Sequence, residues 1–168
     1  MVNNVRIGIR DALEEKGVEM SGVPFTEFPA KVAGISVGGN AEFINFLQGS
    51  SSVTLPDGLT FIGDRVFRDN FQITAVTIPE GVTEIRGEAF ANSRISALSL
   101  PNSLETVGWR AFAGIPLWDA RFGSEIRTIN GAAFADCPNL RSIRINRPAG
   151  SVSGAPWGAS GADVIWTG

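Results

Sequence analysis

The sequence predicts an α/β solenoid: a coil of short parallel strands, preceded by a small helical N-terminal segment. Three observations carry that prediction. A bulky ring recurs at Phe67, Phe90, Phe112, Phe134 and Trp157, always 22 or 23 residues after the last. Twelve positions before each ring stands an apolar residue, Leu55, Ile78, Leu100, Phe122 or Ile145. Five positions before each ring stands another, Ile62, Ile85, Val107, Ile129 or Val152. A period of roughly twenty to fifty residues with companions at fixed offsets marks a chain that buries its core by stacking one repeat on the next.

Taken in order, residues 4–16 place Val5, Ile9, Ala12 and Leu13 at helical spacing among charged residues, which predicts an amphipathic helix ending at Gly17. Thr26 caps a second, short helix that runs through Phe28 and Val32 to about Gly34, with Pro29 tolerated in its first turn. Two glycines within Ser36–Asn40 make a joint, so residues 1–40 form an attachment segment whose candidate contacts are Val5, Ile9, Leu13, Phe25 and Phe28. Residues 41–50, with Phe43, Ile44, Phe46 and Leu47, are expected to form a helical cap over the open end of the coil. The solenoid with its caps then spans 41–168, and residues 146–168 close its far end.

Each repeat opens with a strand that is apolar at both ends and small or polar in the middle: Val53-Thr54-Leu55, Val76-Thr77-Ile78, Leu98-Ser99-Leu100, Ala120-Arg121-Phe122 and Ile143-Arg144-Ile145. Alternation sends the outer residues inward and the middle one to the exposed face. Pro56, Pro79 and Pro101 end the first three strands by withholding a ladder donor. A second apolar pair follows (Leu59/Ile62, Val82/Ile85, Leu104/Val107, Ile126/Ile129), then the ring, then Ile73, Ile95, Leu117 or Leu140. With Val164-Ile165-Trp166 as a sixth strand, a single parallel sheet at about 4.8 Å per strand would be on the order of 25 Å long.

Composition narrows the chemistry. The 168 residues are 43% hydrophobic, and 14 basic side chains against 17 acidic ones give a net charge of −3, so no field draws in nucleic acid or an anionic membrane. Histidine and tyrosine are absent, which removes the commonest general base and metal ligand. The one cysteine, Cys137, forms no internal disulfide and is expected to lie buried beside a core ring. Glu80, Glu84 and Glu88 are spaced around a turn and do not converge. Asn102, Ser124 and Arg147 interrupt any acidic row begun by Asp57 and Glu80, so neither a metal nor a cofactor is expected. Charges near Met1 interrupt what a secretory signal would need, and no stretch is long and apolar enough for a span, so a product folded in the cytosol is expected.

Residues that break the repeat are the better guide to binding. Trp109 aligns with Asp64 and Gly87, and Trp118 with Thr74 and Ser96, which places both indoles at surface positions. Trp118, Asp119, Arg121 and Arg144 fall in or beside neighbouring strands, a grouping suited to a protein or glycan partner. Arg121, Arg127, Arg141, Arg144 and Arg147 concentrate positive charge in the last repeats, but no row of aromatics accompanies them as nucleic acid would require.

The segment Val76-Thr-Ile-Pro-Glu-Gly-Val-Thr-Glu-Ile-Arg-Gly-Glu-Ala-Phe90 resembles the BspA-like leucine-rich repeat, and the resemblance recurs over residues 51–145. Gly150 to Trp166 is similar to the usual closing segment of that family, while Arg86 and Asn130 replace its glycine and Gly123 its proline. The leader from Ala12 to Val32 is similar to N-terminal segments of phage tail, fibre and other virion proteins that carry such repeats. The two resemblances together imply a non-enzymatic phage virion structural protein, assembled in the host cytoplasm. It would attach by its N-terminal segment and display the repeats as a capsid decoration or head fibre, or as a tail or receptor-binding module. The partners implied are other virion proteins, further copies of the chain, and a host surface protein or glycan, with no role for nucleic acid or membrane. The alternative is a bacterial surface or secreted leucine-rich repeat adhesin.

Overall fold

A computed structural model describes residues 51–55 and 57–168. In chain order its strands are β1 (Ser52–Thr54), β2 (Phe61–Ile62), β3 (Ala75–Thr77), β4 (Glu84–Ile85), β5 (Ala97–Ser99), β6 (Thr106–Val107), β7 (Asp119–Phe122), β8 (Thr128–Ile129), β9 (Ser142–Ile145) and β10 (Asp163–Trp166). All pairing is parallel and offset by one repeat, as in Val53 opposite Val76 and Val76 opposite Leu98. A single coil of chain therefore supplies one strand to each of two walls. One wall holds the longer strands, and the other is the unbroken ladder β2-β4-β6-β8.

The rings fill the space between the walls. Phe67, Phe90, Phe112, Phe134 and Trp157 are at most 1% exposed. Successive phenylalanine rings stack with centroids 5.1, 5.6 and 5.3 Å apart. Each stacked ring removes a whole aromatic side chain from water, a gain of about 1.5–3 kcal/mol per residue, and the offset stacking adds to it. Backbone bonds lock the register beside the rings: Phe67 N–H donates to Ala89 O (2.7 Å), Phe90 to Ala111 (2.8 Å), Phe112 to Ala133 (2.9 Å) and Phe134 to Trp157 (3.0 Å). At the far end the Trp157 indole N–H donates to Ser153 O at 2.7 Å, and Trp166 packs half-buried against the core.

Three expectations need correction. The described residues contain no helix, so this part of the chain is a β-solenoid of turns and strands instead of an α/β one. The cause is local. Arg65, Glu88, Arg110 and Ala132, each two residues before a ring, have φ between 52° and 60°, and Asp69, Asn92 and Asp136, two residues after, have φ of 54° to 59°. Left-handed residues on both sides of the ring stop any right-handed helical turn from propagating. The helical segment read over 1–40, with Val5, Ile9, Leu13, Phe25 and Phe28, and the helical cap at 41–50 lie outside the described residues.

The second correction concerns the predicted six-stranded sheet, which is divided into β1-β3-β5 and β7-β9-β10. The division falls after Pro116, which occupies the place of Arg94 one repeat earlier. Arg94 N–H donates to Asn70 O at 3.0 Å, and proline has no N–H to give. Leu98 and Leu100, beside the gap, are only half-buried. The third concerns Cys137, which is half-buried where full burial was expected.

Candidate functional site

The outward face of the longer strands changes character along the coil. Thr54, Thr77 and Ser99 are the last residues of β1, β3 and β5, and Thr74 and Ser96 precede β3 and β5. In the next two repeats those places are taken by Arg121 and Arg144, and by Trp118 and Arg141. The register sets Arg121 opposite Arg144 and Asp119 opposite Ser142. Two like charges facing each other across a ladder repel, and Asp119 answers that repulsion.

The Asp119 carboxylate accepts from Arg121 Nε at 2.5 Å, from Arg144 Nη1 at 3.1 Å to each oxygen, and from the Ser142 hydroxyl. Burial pushes this carboxyl up, but the hydrogen bonds from Ser142 and Arg121 and the charges of Arg121 and Arg144 outweigh it and hold it below its usual range. Beside this cluster Trp118 is 52% exposed, with the Arg141 guanidinium 5.1 Å from its ring centroid. Trp118, Asp119, Arg121 and Arg144 thus share one surface on adjacent strands. Trp109, 56% exposed, does not join them: it follows β6, and its cation contact is with Arg110, which pairs with Asp136 at 3.0 Å.

The other carboxylates with displaced acidity have structural work. Glu88 is lowered by the hydrogen bond from Arg65 (2.8 Å), with Arg68 adding charge and a second bond, although burial opposes both. Glu80 is lowered chiefly by the backbone N–H of Asn102 (3.0 Å), helped by Ser103, and so ties one coil to the next. Nothing in their own coil signals the bonds, because every partner lies in an adjacent repeat.

Cys137 donates its S–H to Phe112 O at 3.0 Å, and burial pushes the thiol up, leaving it protonated and unreactive at neutral pH. It lines a groove of about 340 Å³ with Pro138, Leu140, Ala159 and Ser160. Among the described residues no three His, Cys, Asp or Glu side chains converge as a metal site would need, and no helix is long and apolar enough to cross a membrane. Arg141, Ser142 and the 48% exposed Phe71 were not singled out from sequence as site residues. The signal for Arg141 was its offset of 23 from Trp118.

The family model described as BspA type leucine rich repeat region matches residues 39–153 in 6 copies. No curated protein matches the sequence. Solved structures of similar fold include a leucine rich cell surface protein from Faecalibacterium prausnitzii, at TM-score 0.62 and 22% identity over 71% of this chain and 32% of that one. A leucine-rich repeat protein from Bacteroides ovatus matches at TM-score 0.51 and 22% identity, over 69% of this chain and 37% of its own. The T. pallidum leucine rich repeat protein matches at TM-score 0.51 and 21% identity, over 71% and 70%. The chain thus spans about a third of the length of the first two.

Proposed function

We propose that this chain, which belongs to the BspA-type leucine-rich repeat family, is a non-enzymatic interaction module that meets its partner on the outward face of β7, β9 and β10. The observation that carries this is the replacement of five hydroxyl side chains by Trp118, Arg121, Arg141 and Arg144 at matching positions of the later repeats, around a carboxylate that holds two of the arginines in place. Tryptophan and arginine are the residues that dominate binding hot spots, and here both are exposed and partly pre-ordered. The displaced carboxylates are ionised and engaged by arginines or backbone amides, which suits a scaffold and not an acid poised for proton transfer.

The setting proposed is a phage particle, with residues 1–40 as the attachment segment; the leader from Ala12 to Val32, similar to virion proteins, supports it. A bacterial surface or secreted module is the second reading, favoured by the F. prausnitzii protein of similar fold being a cell surface protein. Mass spectrometry of purified particles separates the two: stoichiometric presence supports the virion setting, and surface labelling of uninfected cells overturns it. For the binding face, benzoylphenylalanine placed at Trp118 should cross-link a partner that the same residue at Thr77 does not. Equal capture from both positions, or none from either, overturns the proposed face.

A further inference from the structure

We infer that this face takes an acidic peptide segment of a protein partner, its carboxylates on Arg121, Arg141 and Arg144 and an apolar side chain on Trp118; the inference rests on the interaction reading above. The surface is rich in donors and poor in acceptors. Arg121 and Arg144 share the single carboxylate of Asp119. That arrangement engages Nε of Arg121 and Nη1 of Arg144, so both terminal nitrogens of Arg121 and Nε and Nη2 of Arg144 have no partner among the described residues. The Arg121 side chain is 74% exposed and that of Arg144 41%. Arg141 has no carboxylate partner among the described residues and rests over the Trp118 ring instead. A guanidinium presents a planar fork that fits a carboxylate with two parallel bonds, and three such forks on adjacent strands with one internal acid leave that capacity open.

Long-range charge selects among anionic partners. Residues 51–109 carry seven Asp and Glu against four Arg, whereas residues 110–168 carry six Arg against four Asp and Glu. A long polyanion would extend from the positive end over the negative one and be repelled, while a short segment with two or three carboxylates stays within the positive region. A single exposed indole on this face gives no stacking row, which further disfavours single-stranded nucleic acid. Trp118 has a different use beside a peptide. In an extended strand alternate side chains share one face, so an acidic and apolar sequence can set carboxylates on the arginines and its apolar group against the ring.

The test uses the full chain and three labelled peptides of about ten residues, alternating Leu with Glu, Gln or Lys, followed by fluorescence anisotropy. The Glu peptide should bind, and the Gln and Lys peptides should not. Binding should weaken about fivefold or more with Arg141→Gln and on raising salt from about 0.05 to about 0.5 M. Arg141→Lys, which keeps the charge and loses the fork, should fall between the two, and urea midpoints confirm that each variant is folded. Equal binding of the Gln peptide, indifference to Arg141→Gln in a folded variant, or tighter binding of a single-stranded oligonucleotide overturns the inference. If cross-linking from position 118 captures a partner while the Glu peptide fails to bind, the acidic segment is wrong and the interaction face stands; if both fail, both readings fall.

Discussion

Sheet β1-β3-β5 and sheet β7-β9-β10 are laid down by the same repeat over one continuous ladder of rings, yet they show solvent different chemistry. The first presents Thr54, Thr77 and Ser99; the second presents Arg121, Arg144 and Ile165 at the same register position. Inward residues hardly vary, because each must fill the same space between the same neighbours. Outward residues are free of that demand, so a surface specialisation in two repeats leaves the coil unchanged. Stability should therefore be shared between the two regions, and binding should belong to one.

The largest effects probe the shared core. Phe90→Ala in the first region and Phe112→Ala beside the second should each cost about 3–5 kcal/mol, measured by urea unfolding, because each leaves a cavity in the ring stack. A loss below about 1 kcal/mol at either position would break the equivalence of the two regions. Gly108→Ala comes next. A Cβ there would stand 2.6 Å from the Arg86 carbonyl carbon, where the β2-β4-β6-β8 ladder runs unbroken between the regions. Overpacking against backbone should cost about 1–3 kcal/mol, and a neutral result would show that the coils can separate there.

Asp119→Asn should cost about 1–2 kcal/mol at neutral pH, since the carboxylate bonds two arginines and a serine from a partly exposed position. The folded state lowers this group from its ordinary value of 3.8, so its contribution is complete above that value and is lost as pH falls through the lowered one. Glu88, lowered from 4.5, behaves alike in the first region. Urea midpoints should thus fall on acidification below these ordinary values, and the Asp119→Asn variant should fall by less than the parent chain. Ala132→Gly should stabilise by about 0.5 kcal/mol, because glycine relieves the left-handed φ of 59° at some entropic cost. Smallest of all, Trp118→Ala should shift stability by less than about 0.5 kcal/mol while weakening binding, which separates the face from the core it stands on.

Much of this architecture is legible in the sequence. Phe67 to Trp157 reveal the coil because a solenoid must bury a large side chain at each turn, and a demand repeated in space becomes a period in sequence. Trp118, Asp119, Arg121 and Arg144 were legible for the opposite reason, as departures from that period. The second wall was hidden, since strands such as Phe61–Ile62 are too short to show alternation. The left-handed residues before each ring were hidden too: Arg65, Glu88 and Ala132 have no special preference for positive φ, and the coil imposes it.

From sequence alone, then, the period of the coil, the inward residues of the described repeats and the places where the surface changes were determined, because burial dictates residue type at fixed intervals. Only the tertiary structure decided that the long-strand wall parts between β5 and β7, that Arg141 lies over Trp118, and that Asp119 collects Ser142, Arg121 and Arg144. Those are contacts between coils. Arg121 apart, which lies two residues from Asp119 on the same strand, the partners stand about twenty residues apart in the chain and one strand apart in space, and no local pattern encodes which of the available donors a carboxylate will take.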